Sequence, residues 1–409
     1  MTEQLSKPAD ELTEKRPARW LNSTVVGIAL ASLFSDVGHE MATTAMPVLL
    51  ASVGASAAAL GLIEGLADGA SSFAKLFSGL YSDRLRRRKP LAVIGYFVTA
   101  SGMASFAFAT QWWHVLLGRV GGWIGRGART PVRNVLMAEA TTPETYGRAY
   151  GFERAMDSVG AFLGPMLTLL FVWALGLRWN FALTLIPGLV AAALIWLLVR
   201  ERPHEPQPNT RLLTSIGALP REFRTYLVGV GIAGLGDFSN TLLILWATIA
   251  WTPKFGAARA AELAMSFYIG YNAVYALSCY VSGMLADRFP KNRVLAIGYS
   301  LAVIPALTLM TPGASIAKFA IVFAFSGLYM GVWETLESST AATVLPRNLR
   351  GIGFGVLATV NGLGDFFSSA VVGLLWTLHP VWAMLFVIVT SVAGSVVIFT
   401  NRPAPPVAQ

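Results

Sequence analysis

The stretch Gly79-Leu80-Tyr81-Ser82-Asp83-Arg84-Leu85-Arg86-Arg87-Arg88-Lys89 returns 204 residues later as Gly283-Met284-Leu285-Ala286-Asp287-Arg288-Phe289-Pro290-Lys291-Asn292-Arg293. The chain has 409 residues, so this spacing is half its length. Each copy closes an apolar run of helix length, opens on a glycine, turns through an Asp-Arg pair and ends in bases. The repeat predicts two halves of like fold with the same turn at the same place in each.

Composition gives the environment. Hydrophobic residues make up 55% of the chain and charged residues 13%, with 39 glycines, which is the profile of an integral membrane protein. Runs of about 20 mainly apolar residues read as spanning helices. Twelve are expected, near 24–50, 57–81, 91–109, 115–138, 150–176, 180–199, 226–251, 263–285, 294–311, 316–344, 351–377 and 380–400. The Pro-rich polar stretch 200–225 separates a six-helix bundle at 23–199 from a second at 226–401, with tails at 1–22 and 402–409. The fold class is therefore all-α and integral to the membrane, twelve helices in two halves related as a parallel repeat.

The bases orient the chain. An even number of spans puts both termini on one side, and that side carries 21 Lys and Arg against four (Arg178, Lys254, Arg259, Lys318) on the other. Termini and both repeated loops are expected in the cytoplasm. The net charge of +9 follows from this asymmetry and from anionic lipid, so no nucleic-acid partner is implied. Residues 1–22 mix four acids with Lys7, Lys15, Arg16 and Arg19 and lack a signal-peptide pattern. The single Cys279 excludes an internal disulfide and reads as a small buried residue.

The signature G-x-x-x-D-R-x-x-R-[RK] after the second helix resembles the characteristic loop of the major facilitator superfamily of transporters. The second copy keeps Gly283, Asp287, Arg288 and Lys291 but has Asn292 at a basic position. The resemblance implies a small-molecule carrier of a bacterial inner membrane that works by alternating access, as a monomer, without a cofactor. It makes Gly79, Asp83 and Arg84, with Gly283, Asp287 and Arg288, gating loops. Asp83 is expected to accept hydrogen bonds from amides at the start of the eleventh helix, near Gly351. On the fifth helix, Gly160, Gly164 and Pro165 form G-x-x-x-G-P, similar to the motif of drug/proton antiporters, with Thr168 and Leu169 in place of the usual glycine pair.

Polar residues inside the spans mark the candidate site. At 100° per residue, Ser32, Ser35, Asp36, His39, Glu40 and Thr43 of the first helix share an arc of about 140°. A charge facing lipid at mid-membrane costs roughly 2.5–3.5 kcal/mol, so such stripes face one another or water. The second helix carries Glu64, Asp68 and Lys75, with Lys75 placed to answer Asp68. The fourth carries Arg119, Arg126, Arg129 and Arg133, and the fifth Glu153, Arg154 and Asp157. Six acids against six bases leave this half balanced, by internal pairing or by binding an anion. In the other half, Asp237 shares a stripe with Asn240, Thr241 and Thr248. The eighth helix shows Tyr268, Tyr271, Asn272 and Tyr275, and the tenth Glu334 and Glu337. No intramembrane base answers Asp237, Glu334, Glu337 and Asp365. They are protonated for part of a cycle, or reached by arginines of the first half, or met by a cationic ligand.

The superfamily fold places helices 1, 4, 7 and 10 around the path. A carboxylate in low dielectric takes up a proton readily, which makes Asp36, Glu40 and Asp237 candidates for proton coupling. His39, Arg126, Arg129, Asn240, Tyr268, Tyr271, Asn272, Glu334 and Glu337 are candidates for substrate binding. Proton-coupled efflux of an organic or drug-like solute is the first expectation, and import of an organic anion on the helix-4 arginines the alternative. Asp36, His39 and Glu40 have a ligand-like spacing, but one histidine without a thiolate argues against a metal site. No H-E-x-x-H, P-loop or G-x-S-x-G indicates an enzyme, and a non-transporting receptor is the remaining alternative.

Overall fold

The computed structural model describes residues 20–55, 57–201, 203, 205, 212–237 and 240–401. Residues 1–19 and 402–409 of the expected tails, and His204 of the linker, lie outside the described residues. Twelve spanning segments follow one another among them: α1 Ser23–Ser52, α2 Ala57–Arg84, α3 Lys89–Ala104, α4 Trp112–Ala140, α5 Tyr146–Leu175 and α6 Leu177–Leu198; then α7, in two pieces Arg221–Gly234 and Asn240–Phe255, α8 Ala257–Arg288, α9 Lys291–Met310, α10 Ile316–Val344, α11 Arg350–Leu378 and α12 Pro380–Thr400. A short helix, Leu212–Gly217, precedes α7.

Eight of these helices are apolar enough to be read as spans by hydropathy alone. The other four are α2, α4, α7 and α8. Three of them carry rows of charged or tyrosine side chains, and α7 is broken. The break corrects the expected stripe, because Asp237 sits between the two pieces of α7 and shares no helical face with Thr248. Its cause is local. Gly236 presses on α12 so closely that a Cβ there would meet Thr390 Oγ1 and stand 3.0 Å from Ser391 Oγ, and the chain tightens into i→i−3 bonds from Gly236 N to Ala233 O and Asp237 N to Gly234 O.

Within the first half α1 packs on α5 and α6, and α4 on α2 and α3; in the second, α10 packs on α8 and α9, and α12 on α7, α9 and α11. Large apolar side chains such as Phe73, Trp173, Leu197 and Leu277 remain exposed on the outside of the bundle, where lipid covers them. The buried core is divided unevenly. At the end bearing the two repeated loops, Tyr96, Tyr146 and Tyr150 of the first half share one cluster with Tyr226, Leu336 and Phe354 of the second. Toward the other end each half has its own, around Met46, Phe106 and Phe181 in the first and around Trp251, Phe319 and Phe323 in the second. The halves are joined at the loop end and part toward the other, leaving a cleft between them.

Candidate functional site

The floor of the cleft is a seam with two-fold character. Asp83, on the last turn of α2, accepts from Gly351 N at 3.1 Å and Ile352 N at 2.9 Å, the first amides of α11. Asp287, on the last turn of α8, accepts from Gly147 N at 2.8 Å and Arg148 N at 3.1 Å, the first amides of α5. Each acceptor and each donor differs from its counterpart by 204 in number. These amides lack intrahelical acceptors and sit at the positive end of the helix dipole, so a carboxylate suits both places. The glycines make the approach possible: a Cβ on Gly79 would overlap Gly351 O, and one on Gly283 would overlap Gly147 O. On the axis itself, Arg350 Nη2 donates to Tyr146 Oη at 2.8 Å, and Asn134 Nδ2 to Ser338 Oγ at 3.5 Å.

Arg84 and Arg288, named with the loops from the sequence, are exposed at the helix ends. The base that holds Asp83 is Arg88, 1% exposed, whose Nη2 lies 3.2 Å from the carboxylate while Nη1 binds Glu139. Arg88 was legible only as one of four bases in a row. Asp287 is held instead by Arg148 Nε at 2.8 Å and by Lys291 Nζ at 3.6 Å.

Inside the first half the charges pair with one another. Arg126 Nη1 stands 3.1 Å from Asp36 Oδ1. Arg119 donates to both Glu64 oxygens at 3.0 Å and to Thr43 Oγ1 at 3.0 Å, and its guanidinium lies over the Trp123 ring. Trp123 donates to Asp68 at 2.7 Å and packs beside His39, whose Nε2 is 3.7 Å from Glu40. Arg133, Glu153 and Ser32 form a closed triad at 2.6–2.9 Å. Arg129 departs from the stripe: it is 3% exposed, its guanidinium lies 4.0 Å from the centre of the Tyr96 ring on α3, and it does not face the cleft with Arg126. The α5 glycines set this geometry, since a Cβ on Gly164 would be 2.9 Å from Val37 O and one on Gly160 would overlap Leu33 O. They let α5 lie directly against the backbone that carries Asp36 and Glu40. Pro165 follows within the same helix.

The four acids of the second half are answered in different ways. Glu334 takes Arg154 from the first half at 3.5 Å, and the Tyr275 hydroxyl from its own. Arg154 is shared with Glu153 at 3.5 Å and Asp157 at 3.6 Å, so one guanidinium spans the seam among three carboxylates. Lys75 reaches across to α11, its Nζ 4.0 Å from where a Cβ on Gly362 would stand, three residues before Asp365. Asp68, the partner expected for Lys75, also accepts from the Trp123 indole. Asp237 and Glu337 have neutral donors, Trp333 Nε1 at 3.1 Å for the first, Tyr299 and Asn361 for the second.

Glu337 is therefore buried behind the cleft wall rather than lining it. Tyr268 stacks on Tyr271 at 5.4 Å, and Asn272 donates to Tyr268 O at 2.8 Å. Tyr271 is 2% exposed and belongs to the interior of its half. Asn240 opens the second piece of α7, and its side chain lies outside the described residues. The residues brought together at the cleft are Asp36, Glu40, Arg126, Arg154, Asp157, Tyr275 and Glu334. Arg154 was visible in the sequence only as one charge among twelve, and nothing in its spacing marked it as the link between halves. Among the described residues no group of three His, Cys, Asp or Glu side chains is disposed to hold a metal ion.

Comparison with known proteins agrees with this architecture. Residues 28–369 match the model of the Major Facilitator Superfamily. The chain is 27% identical to an uncharacterised MFS-type transporter of Methanocaldococcus jannaschii, over 90% of this chain and 92% of that one. It is 24% identical to a gallate transporter of Pseudomonas putida (88% and 86%) and 20% identical to multidrug resistance protein 2 of Bacillus subtilis (89% and 91%). Its fold is similar to the crystal structure of the fucose:proton symporter of E. coli, with a TM-score of 0.76 at 15% identity, covering 94% of this chain and all of that one.

Proposed function

Since the chain belongs to the Major Facilitator Superfamily and is a secondary transporter of a small molecule, we propose that it exports an organic or drug-like solute in exchange for protons. The signature loops and termini lie in the cytoplasm of a bacterial cell in this reading, as the distribution of bases requires. The closed seam then seals the cytoplasmic end, and the cleft opens outward.

The observation that carries the reading is the Asp36–Arg126 pair at 3.1 Å, beside Glu40, with α5 glycines pinning α1 behind it. A proton entering from outside neutralises Asp36 or Glu40 and frees Arg126. The freed guanidinium has Asp157 as a further partner, one of the carboxylates that act on it in place. The halves rock, the seam opens inward, and the proton is released as a solute enters. Glu334 and Asp157, bridged by Arg154 in the closed seam, become available when the seam parts, and they favour a solute with positive charge. The resemblance to a multidrug resistance protein supports export.

A second reading takes an organic anion inward on Arg126, which is about three-tenths exposed to the cleft; the likeness to a gallate transporter favours it. The test is the internal pH of proteoliposomes under an imposed proton gradient, while lipophilic cations and organic anions are added in turn. Proton counterflow driven by a cation supports exchange, whereas protons moving with an anion establish import. Asp36→Asn with Glu40→Gln is expected to abolish coupling in either case, and undiminished proton-driven transport by that variant removes these residues from the mechanism.

A further inference from the structure

We propose that the second half also binds a small monovalent cation, sodium, in a chamber behind α7 and apart from the cleft. This goes beyond the exchange reading, because such binding is measurable without any flux.

The chamber is a cavity of about 30 Å³ at the break in α7, bordered by Asp237, Tyr271, Ser326 and Tyr329 and otherwise by apolar side chains. Its size admits about two waters, or one bare cation and a water. Two buried hydroxyls at its margin have no hydrogen-bond partner. Tyr329, 7% exposed, lines the cavity, and Ser391 Oγ, on a residue with no exposure, lies behind the lining residue Gly236, 3.0 Å from where a Cβ there would stand. A buried hydroxyl without a partner is costly, and a bound cation or its water would satisfy both. Thr390 Oγ1 gives its proton to Phe386 O and Val387 O at 2.9 and 3.2 Å, so its lone pairs remain for a cation. The first piece of α7 ends here, and its last carbonyls present the negative end of the helix dipole.

Charge selects the ion. Among the described residues Asp237 is the one carboxylate bordering the cavity, and Trp333 Nε1 fixes it through Oδ2. One carboxylate among neutral oxygens and apolar walls balances a single positive charge; a divalent ion would leave an uncompensated charge in low dielectric. The titratable groups that act on Asp237 from neighbouring helices are Asp365 on α11 and Glu337 and Glu334 on α10, all acidic, and Tyr271 on α8 shares the cavity. The first half shows what is missing. At the position equivalent to Trp333 it carries Arg129, a resident guanidinium over Tyr96, and the void behind α1 is about 10 Å³ with no carboxylate on its border among the described residues. One half brings its own cation; the other has a carboxylate, unpaired hydroxyls and room.

The experiment is thermal unfolding of the purified full-length protein while NaCl replaces choline chloride at constant ionic strength, at a pH above and a pH below neutrality. A ligand that binds only the folded state raises the midpoint and saturates. Sodium is expected to do so in the wild type, with an apparent affinity weakened on the order of tenfold in Tyr329→Phe and in Ser391→Ala, the worth of one lost ligand contact. Asp237→Asn is expected to lose the response. A midpoint that ignores sodium and only rises with falling pH is protonation of Asp237 alone and overturns the site. Sodium and pH profiles of Tyr329→Phe and Ser391→Ala that superimpose on the wild type overturn the site, whether or not Asp237→Asn folds. Loss of this site leaves proton exchange in proteoliposomes as a separate measurement, so the two readings fail independently.

Discussion

The two latches at the seam are alike in backbone and unlike in charge. Asp83 and Asp287 each take two amides from the opposite half at 2.8–3.1 Å. Asp83, however, has its counter-ion at home: Arg88 belongs to the same half and stays with it when the seam opens. Asp287 is paired with Arg148 of the other half, and Lys291 also reaches across, donating to Pro143 O at 2.9 Å. Opening one latch exposes hydrogen bonds; opening the other also separates charges. The sequence source of the difference is two replacements, Asn292 at the position of Arg88 and Arg148 at the position of Ile352. Equal geometry therefore hides unequal work, and the second latch is the one that resists rocking.

Cys279 offers a native reporter of that opening. It has no exposure and lies on α8 against Gly151 of α5, where a Cβ on the glycine would overlap its carbonyl. The largest effect is expected for Gly79→Val and Gly283→Val, each of which forces a side chain into the backbone of the opposite half. An overlap of about 3 kcal/mol corresponds to an increase on the order of a hundredfold in maleimide labelling of Cys279. If the halves move as rigid bodies the two variants label alike; labelling in Gly283→Val alone means the seams part separately.

Next in size is the contrast between the carboxylates. Asp83→Asn leaves Arg88 buried with Glu139 as its remaining ion pair and Ser82 O as a neutral acceptor, and a loss of stability on the order of 2 kcal/mol is expected in thermal unfolding. Asp287→Asn is expected to leave the melting point closer to wild type while raising Cys279 labelling. The reverse assignment would break the comparison drawn above. Arg148→Gln tests the crossing ion pair alone. Arg148 is about a third exposed, so solvent screening limits its worth to about 1 kcal/mol and the rise in labelling to roughly fivefold. Smallest is Tyr146→Phe on the axis, which removes one acceptor from Arg350 while Ala342 O remains at 3.4 Å; about a twofold change in labelling is expected.

Much of this could be read in advance. The 204-residue repeat, the two halves and the loop aspartates followed from Gly79–Lys89 and its copy, because close approach of two backbones demands glycine and orphan amides demand an acceptor. The charge balance of the first half was legible because hydrocarbon forbids unpaired charge. What the sequence hid were choices among equals. Four arginines at helical spacing do not reveal that Arg129 turns to Tyr96 while Arg126 turns to Asp36. A helical wheel assumes an unbroken helix, so it misplaced Asp237. Neutral partners were unforeseen for Asp237 and Glu337, since a tryptophan or tyrosine in a span reads first as apolar bulk.

The bonds on the axis carry one more consequence. Tyr146 meets Arg350 and Asn134 meets Ser338, in each pair a residue bonded to the one 204 places on. Contact between equivalent positions is the mark of an isologous interface, the kind that holds two separate subunits together. This chain is thus a dimer written as one polypeptide, whose contact surface has diverged into complementary partners while keeping the symmetry of a self-recognising one. Such a surface carries its own instructions for assembly, and the two halves made as separate chains would find each other across it without the peptide that joins them.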